Sequence, residues 1–588
     1  MKSAFSQAKV RSRSRSIGAA LLLAVSSMAM VGCNGGGGNG GLEIAASVPP
    51  PPPAQAAQVV YKNGTVLTLD EHNTVAQAVA ISDGRILAVG ASNAIEKHIG
   101  SATRVVDLGG RTLIPGIYDA HSHLVFAGTN LLFEADLNSP PIGPVQDLSQ
   151  LLSVLEEQRA KLGPDAWITG FGYDDTLLAE KRHPTRADLD RVSATQPILI
   201  THVSGHLAVA NSVALALAGI DAATSDPSGG VIRKDASGEP DGVLEETAVQ
   251  MVGGLKPPLT AAQVQAATQA ISALYASRGV TTASDGASGA DGIKALEAAA
   301  QAGDLAIRVV ALPTSMSGLD TVDLQSRKVK IGGIKTFADG SIQGYTGYLG
   351  QPYHTPFHGD ASYRGFPRAD REALAQQVLG HHKAGRQLLV HGNGDAAIDD
   401  ILHAFRRAQE EAPRSNARHT VIHSQTVRED QLDEMKRLNV IPSYFILHTY
   451  YWGDRHRDVF LGPVRAERIS PARSTADRGM VYTIHADTPV VPMDPMRLIW
   501  AAVNRVSTSG AVIGSAQRVS AIDALRATTI NAAYQNFEEK ERGSIEVGKW
   551  ADLAVLSANP AAVDPSAIKD IRVLETVLEG KSVYRSTD

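Results

Sequence analysis

LIPGIYDAHSHLVFAG, residues 113–128, runs from an apolar, strand-like segment into an acid and two histidines one residue apart. In an extended strand alternate side chains share a face, so His121 and His123 aim at the same side. Alone the pair is a weak signal, since solvated strand ends often hold two imidazoles. Its weight depends on what the rest of the chain brings to the same place.

Seven further strand-like runs follow: GVTTASDGA, LAIRVVALPT, VKIGGIKTFADGS, GRQLLVHGNGD, HTVIHSQ, NVIPSYFILH and MVYTIHADTP. With IPGIYDAHSH they make eight. Helical periodicity fills many of the gaps, as in TAAQVQAATQAISALYASRG and AAIDDILHAFRRAQEEAP. Eight alternating units predict an α/β fold, a (β/α)8 TIM barrel over residues 113–539. The stretch from about 129 to 248 breaks this rhythm with WITGFGYDD, a Pro-Thr-Arg-Ala-Asp turn into a helix, and a Gly-rich hairpin around 227–242. It is expected to be an inserted subdomain over the barrel mouth, a common place for specificity elements.

The ends of the folded region have β character. VVYKNGTVLTL and AVAISDGRILAVG alternate around Asn-Gly and Asp-Gly, which predicts hairpin turns. GSIEVGKWADLAVLS and VLETVLEGKSVYR close the chain. Edge strands need partners, so residues 59–112 and 540–588 are expected to share a small β-sandwich subdomain.

Composition narrows the partners. With 20% charged and 43% hydrophobic residues in 588, the chain has the profile of a globular protein. The first 33 residues read as a lipoprotein-type signal peptide: a basic start without acids, an apolar stretch short for a membrane span, and Met30-Val31-Gly32-Cys33 at its end. Cys33 is the only cysteine. Cleavage there removes Lys2, Lys9, Arg11, Arg13 and Arg15 and no acid, moving the formal charge from −6 to −11. An acidic mature chain argues against a nucleic-acid partner. Residues 34–58, Gly-rich then Pro-rich, suit a linker. The expected location is export with a lipid anchor at Cys33, on the periplasmic face of a bacterial membrane, with no other membrane contact.

Polar residues at the C-terminal ends of barrel strands converge on the active face. Here the first strand ends in His121 and His123, the fourth carries Lys335, the fifth ends in His391, the sixth in His423 and the eighth in Asp487. These residues, with the pieces LIPGIYDAHSH, TRADLDRVSATQPILITHVSGH, KTFADGS, HGNGD, VIHSQ, HTYYWGDRH and HADTPV, resemble the amidohydrolase superfamily. In detail they resemble its metal-dependent hydrolase branch that includes the N-substituted formamide deformylases (amidohydrolase family 3). The likeness runs from Val59 to the C-terminus.

That resemblance implies one or two divalent ions, zinc by its ligand preferences. His121 and His123 would bind the more buried ion, Lys335, carboxylated by CO2, would bridge to a second, and His391 and His423 would hold that second ion. Asp487 would coordinate the buried ion and shuttle protons. A metal lowers the pKa of its water to about 7, so the implied reaction is attack of hydroxide on a carbonyl. His448, in HTYYWGD after strand seven, is expected to contact the substrate carbonyl, with Tyr450, Tyr451 and Trp452 as an aromatic wall. His206 could reach the site from the insertion, but its first reading is structural, as for His202, His354, His358, His456 and His485. A strand lysine ordinarily snorkels to the surface, and Asp487-Thr488-Pro489 could be a helix cap, so neither residue decides alone. Two departures stand out: Ile422 where relatives often carry Glu, and His391-Gly392-Asn393-Gly394-Asp395 where they often read HAIGD.

The expected activity is hydrolysis of a non-peptide C–N bond, amide or formamide, in a small molecule. The same centre would also suit an ester, lactone or cyclic imide, and a barrel that has lost turnover would be a binding lipoprotein. A homodimer is compatible with all three.

Overall fold

Short aliphatic runs build the barrel wall because their alternate side chains can be buried on both faces. Its parallel strands are Ile117–Ser122, Val280–Ser288, Arg308–Pro313, Val329–Ile331 continued by Ile334–Phe337, Leu388–Gly392, Thr420–His423, Ile441–Tyr444 and Thr483–Ile484. This computed structural model describes residues 55–587; the expected signal peptide, Cys33 and nearly all of the 34–58 linker lie outside the described residues.

Outward-facing Ile117, Val309, Ala311, Leu388, Val390 and Val421 pack with the surrounding helices in the largest core. Tyr118, Ala120, Val310, Leu312, Leu389 and Ile422 form a separate buried cluster inside the wall, closed by Ala532 and Ala533. The wall is two arcs of parallel strands that meet in the fourth strand, where Gly332 and Gly333 interrupt the ladder. A side chain at either would crowd its neighbour, a Cβ lying 2.7 Å from Val310 at Gly332 and 2.5 Å from Leu389 at Gly333. The other seam is closed beyond the strand ends, where the Asp487 N–H donates to the His121 carbonyl and the His123 N–H to the Thr488 carbonyl.

Helices follow most strands with recognisable local causes. Ala261–Ser277 starts at a Thr260/Gln263 capping box, and Arg371–Lys383 starts at Asp370, whose carboxylate accepts two first-turn N–H groups. Asp395–Glu411 buries Ala397, Ile398, Ile401, Leu402, Phe405 and Ala408, the spacing of one helical face. The rhythm fails after strand three, where only a 3-10 turn, Leu319–Thr321, stands in for a helix. Among the described residues no helix is long and apolar enough to cross a membrane.

The insertion follows the helix Leu124–Phe133 and forms a mixed six-stranded sheet in the order Gly230–Lys234, Pro240–Glu246, Leu207–Ala210, Ile198–His202, Ile168–Tyr173, Ala135–Asp136. It has its own core around Leu151, Leu155, Ile168, Ile198 and Ile200. Asp174 ties it to the segment after strand seven, accepting from Trp452 Nε1 at 3.1 Å and Arg455 Nη1 at 2.6 Å.

Strands from both chain ends form two packed sheets. One holds Val59–Lys62, Ala78–Ser82, Arg85–Gly90 and Arg104–Asp107; the other joins Thr65–Leu67, Val75–Ala76 and Thr112–Pro115 to Leu553–Leu556, Val573–Leu578 and Lys581–Arg585. Asp83-Gly84 is a tight hairpin turn, both residues at positive φ. Asn63-Gly64 is not: the strands on either side lie in different sheets, so this corner is a crossover. Two boundaries also shift. Thr112–Pro115 pairs with Leu553–Leu556 in the end sheet, so the barrel wall begins after Gly116. Gln58 is hydrogen-bonded to Ile81 and Arg104 of the first sheet, and the Ala57 N–H donates to the His98 carbonyl, so neither belongs to a linker.

Candidate metal centre

Two backbone devices turn the strand-one histidines toward the barrel axis. The register of Ile117–Ser122 against Val280–Ser288 shifts between Ala283 and Asp285, so His121 follows inward-facing Ala120 without strict alternation. Gly286 makes the room: a Cβ there would lie 2.4 Å from His121 Cε1. His123 is oriented by its Nδ1, 2.8 Å from the Gly286 carbonyl. Asp487, at φ 55°, brings Oδ1 to 3.4 Å from His121 Nε2 and 3.6 Å from His123 Nε2.

Lys335 reaches the same point from strand four. Its Nζ is 3.1 Å from His121 Nε2 and its side chain is buried. His391 ends strand five with its ring 4.6 Å from that of His423, whose Nε2 is 3.9 Å from Asp487 Oδ2. Inward-facing Ile422 and His423 are consecutive, which a regular strand forbids. His423 turns inward because it and Ser424 adopt positive φ, 71° and 46°. Left-handed backbone at non-glycine residues costs about 1–3 kcal/mol each and persists where the surroundings enforce it. All six residues named from the sequence are therefore brought to one place.

The electrostatics suit cation ligands. Burial first, then the Lys335 charge, holds His121 well below the ordinary imidazole range and His123 at about 3, so both rings keep their lone pairs. Burial pushes the Asp487 carboxyl up to about 6 and the Lys335 amine down to about 7. His121, His123 and Asp487 present donor atoms all within 4.8 Å of one another. Asp487 Oδ1 is buried between two imidazole nitrogens without a hydrogen bond, and a divalent cation between them would satisfy it. The donor set fits the metal that the sequence implies.

The amidohydrolase family profile matches residues 104–584, most of the chain. The chain belongs to the amidohydrolase family. Among similar proteins, YtcJ of Bacillus subtilis (strain 168) is 29% identical over 90% of this chain and 100% of its own length. The N-substituted formamide deformylase of Arthrobacter pascens is 29% identical over 91% of this chain and 99% of its own. The crystal structure of an uncharacterized metal-dependent hydrolase from Pyrococcus horikoshii OT3 superposes with a TM-score of 0.68 at 24% identity, covering 86% of this chain and 99% of that one. The barrel is thus a hydrolase barrel of this family.

Other residues of this amidohydrolase centre escaped the sequence reading. Asp339, beyond strand four, supports His391: its Oδ1 is 3.2 Å from His391 Nδ1 and accepts the Asn393 N–H, while Oδ2 accepts the N–H groups of Gly394 and Tyr348. A carboxylate behind a ligand imidazole fixes its orientation. HGNGD thereby explains itself, since Asn393 and Gly394 are the segment that Asp339 grips. His485 braces His423 from strand eight, its Nε2 3.2 Å from His423 Nδ1 and its own Nδ1 2.9 Å from Ser443 Oγ. His206, which the sequence allowed to reach the site from the insertion, does come close: its ring lies 4.8 Å from that of His391.

His448 is buried with its ring 6.4 Å from that of His423, and burial holds it at about 3. Its Nδ1 has no hydrogen-bond partner. The expected aromatic wall reduces to one residue. Trp452 flanks His448 at 5.9 Å, whereas Tyr450 packs on Trp500 and Tyr451 is bound up with Tyr450. Among the described residues a second group, Asp174, Asp175 and His202, also offers close donor atoms, but Asp174 is already neutralised by Arg455.

Proposed function

We propose that the protein is a metal-dependent amidohydrolase that cleaves a non-peptide C–N bond, an amide or formamide, of a small molecule. The observation that carries this reading is the convergence of His121, His123, Lys335, His391, His423 and Asp487 at the C-terminal face of the barrel. The deformylase relative supports the choice of bond.

His121, His123 and Asp487 would hold the deeper ion; His391, His423 and Lys335 would hold a second. Zinc suits imidazole and carboxylate ligands. An ammonium offers no lone pair, so Lys335 would act as a ligand after its amine adds CO2 to form a carbamate. An amine brought down to about 7 by burial has a large neutral fraction at neutral pH, which is the reactive form. When bound, the metal polarises a carbonyl and activates water. Asp487, whose carboxylate stands at the centre, would accept a proton from the attacking water and return it to the leaving nitrogen. His448 would stand beside the substrate carbonyl, and Asp339 keeps His391 from rotating.

A panel of matched amides, formamides and esters assayed on metal-replete protein tests this, with Asp487→Asn as the control. Hydrolysis of a C–N substrate by wild type and its loss in the variant is the expected result; equal rates would remove the role of Asp487.

We also propose export and lipid anchoring at Cys33, from the signal-like sequence alone. Cys33→Ser should move the protein from the membrane to the soluble fraction of the cell envelope.

A further inference from the structure

Arg368 lies between strand four and the helix Arg371–Lys383, and the fold fixes its backbone from two sides. Its N–H donates to the Ala338 carbonyl, just past the end of strand four, at 2.8 Å. The insertion abuts it from the other side, where a Cβ on Gly229 would lie 2.3 Å from the Arg368 carbonyl oxygen. The guanidinium lies over the half-buried Phe337 ring, 4.6 Å from its centroid. Lys335 Nζ is 4.9 Å from the same centroid, and the His391 ring is 5.6 Å from it. A single aromatic ring thus separates this guanidinium from two residues of the centre.

Its donors are under-used. The one charged contact is Nη1 to Glu246 Oε2 at 3.5 Å, and that oxygen is already 2.9 Å from His206 Nδ1. Among the described residues the guanidinium makes no hydrogen bond. Structural arginines of this chain look different: Arg308, Arg418 and Arg455 each bond a carboxylate closely, and Arg505 bonds three carbonyls. Glu246 is fully buried behind Arg368, which is itself 21% exposed. The open edge of the guanidinium therefore shares the solvent side of the centre with His123, 24% exposed, whereas His121, His391 and His423 are buried. Its charge reaches the centre: burial is the main cause that lowers Lys335 and His391, and Arg368 adds to both.

We propose that Arg368 is a specificity residue that binds a carboxylate carried close to the scissile amide, so that the preferred substrates are anionic amides. This inference rests on the amide reading above. A guanidinium is charged at every working pH and offers a planar fork that matches a carboxylate bidentately. Stacking on Phe337 holds the plane of that fork, which lowers the ordering cost of the pair. A carboxylate completes the pairing that Glu246 leaves open, whereas a neutral carboxamide of the same shape forfeits the charge-assisted bonds.

N-formylglycine and N-formyl-β-alanine are each compared with the neutral carboxamide, N-formylglycinamide or N-formyl-β-alaninamide, and formyloxyacetate is the ester control. Formate release gives kcat/KM for metal-replete wild type, Arg368→Met and Arg368→Lys. Calorimetric binding of the same amides is measured for each in an Asp487→Asn background. Wild type is expected to prefer the carboxylate over its carboxamide in both readouts. That preference should fall about 10- to 100-fold in Arg368→Met, the worth of a hydrogen bond to a charged group. Arg368→Lys, which keeps the charge but not the fork, should recover part of it. The charge of the centre acts alike in all three proteins, and a purely structural ion pair with Glu246 would weaken all four amides together, so neither moves this ratio. An undiminished preference in Arg368→Met, or none in wild type, overturns the inference while hydrolysis of the amides stands. Formate released from formyloxyacetate alone overturns the amide reading, and the inference with it.

Discussion

Asp487 is a strand-end acid with no hydrogen bond to the oxygen that faces two histidines. Asp487→Asn should lower kcat by about 10²- to 10⁴-fold, the range of general acid–base contributions, with the folded structure retained as judged by circular dichroism. Lys335→Gln removes the amine proposed to add CO2; ¹³C-bicarbonate should give a carbamate signal in wild type that is missing in the variant. A spectrum unchanged by the substitution would rule out carboxylation at this position. The six centre residues could be read from the sequence because strand ends set their positions and strand order sets their company. Asp339 was not legible, and His206 was legible only as a residue that could reach the site from the insertion. Asp339 lies past the end of its strand, while His206 comes to the centre on a separate sheet, whose docking no local pattern encodes.

At the scale of elements, glycines decide how closely the strands and their side chains approach. Gly286→Ala would put a methyl 2.4 Å from His121 Cε1, and the ring must move. Bound metal per chain should fall in this variant while secondary structure is kept; unchanged metal content would show that the ring yields without losing its ligand position. The eight strands were legible from apolar runs between turn residues. The break at Gly332–Gly333, the crossover at Asn63-Gly64 and the missing helix after strand three were not. Each depends on a neighbouring strand: the Asn63-Gly64 corner, for example, has the local chemistry of a hairpin but is opened because Thr65–Leu67 pairs with Thr112–Pro115.

Across the whole molecule, barrel and end sheets are joined by buried charge. Arg308, at the start of strand three, pairs with Asp552 and, at 2.6 Å, with Glu579. Arg308→Met leaves Asp552 buried without its partner and should cost about 3–5 kcal/mol in urea unfolding. The pH response follows from the buried rings. Nine histidines are held well below their ordinary value, among them His183, His419 and His448 at about 3. The unfolded chain protonates them near their ordinary 6.5 while the native state resists, so stability is lost as pH falls from about 6.5 toward 3. Asp119 and Asp339, raised to about 7, and Asp285 and Asp487, raised to about 6, act oppositely: their contribution is present in acid and lost as pH rises through those values. With His358, His381 and His382 also lowered, and Glu134, Glu245 and Asp400 also raised, twelve histidines against seven carboxyls give a net loss on acidification, so the melting temperature of metal-free protein should drop between pH 6.5 and 4.5; a rise would contradict this balance. A metal at the barrel mouth is the central requirement of this chemistry, and metal content measured alongside hydrolysis tests it most directly. It predicts at least one tightly held divalent ion per chain, with C–N hydrolysis abolished when the ion is stripped and restored when it is returned; full turnover by metal-free protein would contradict it.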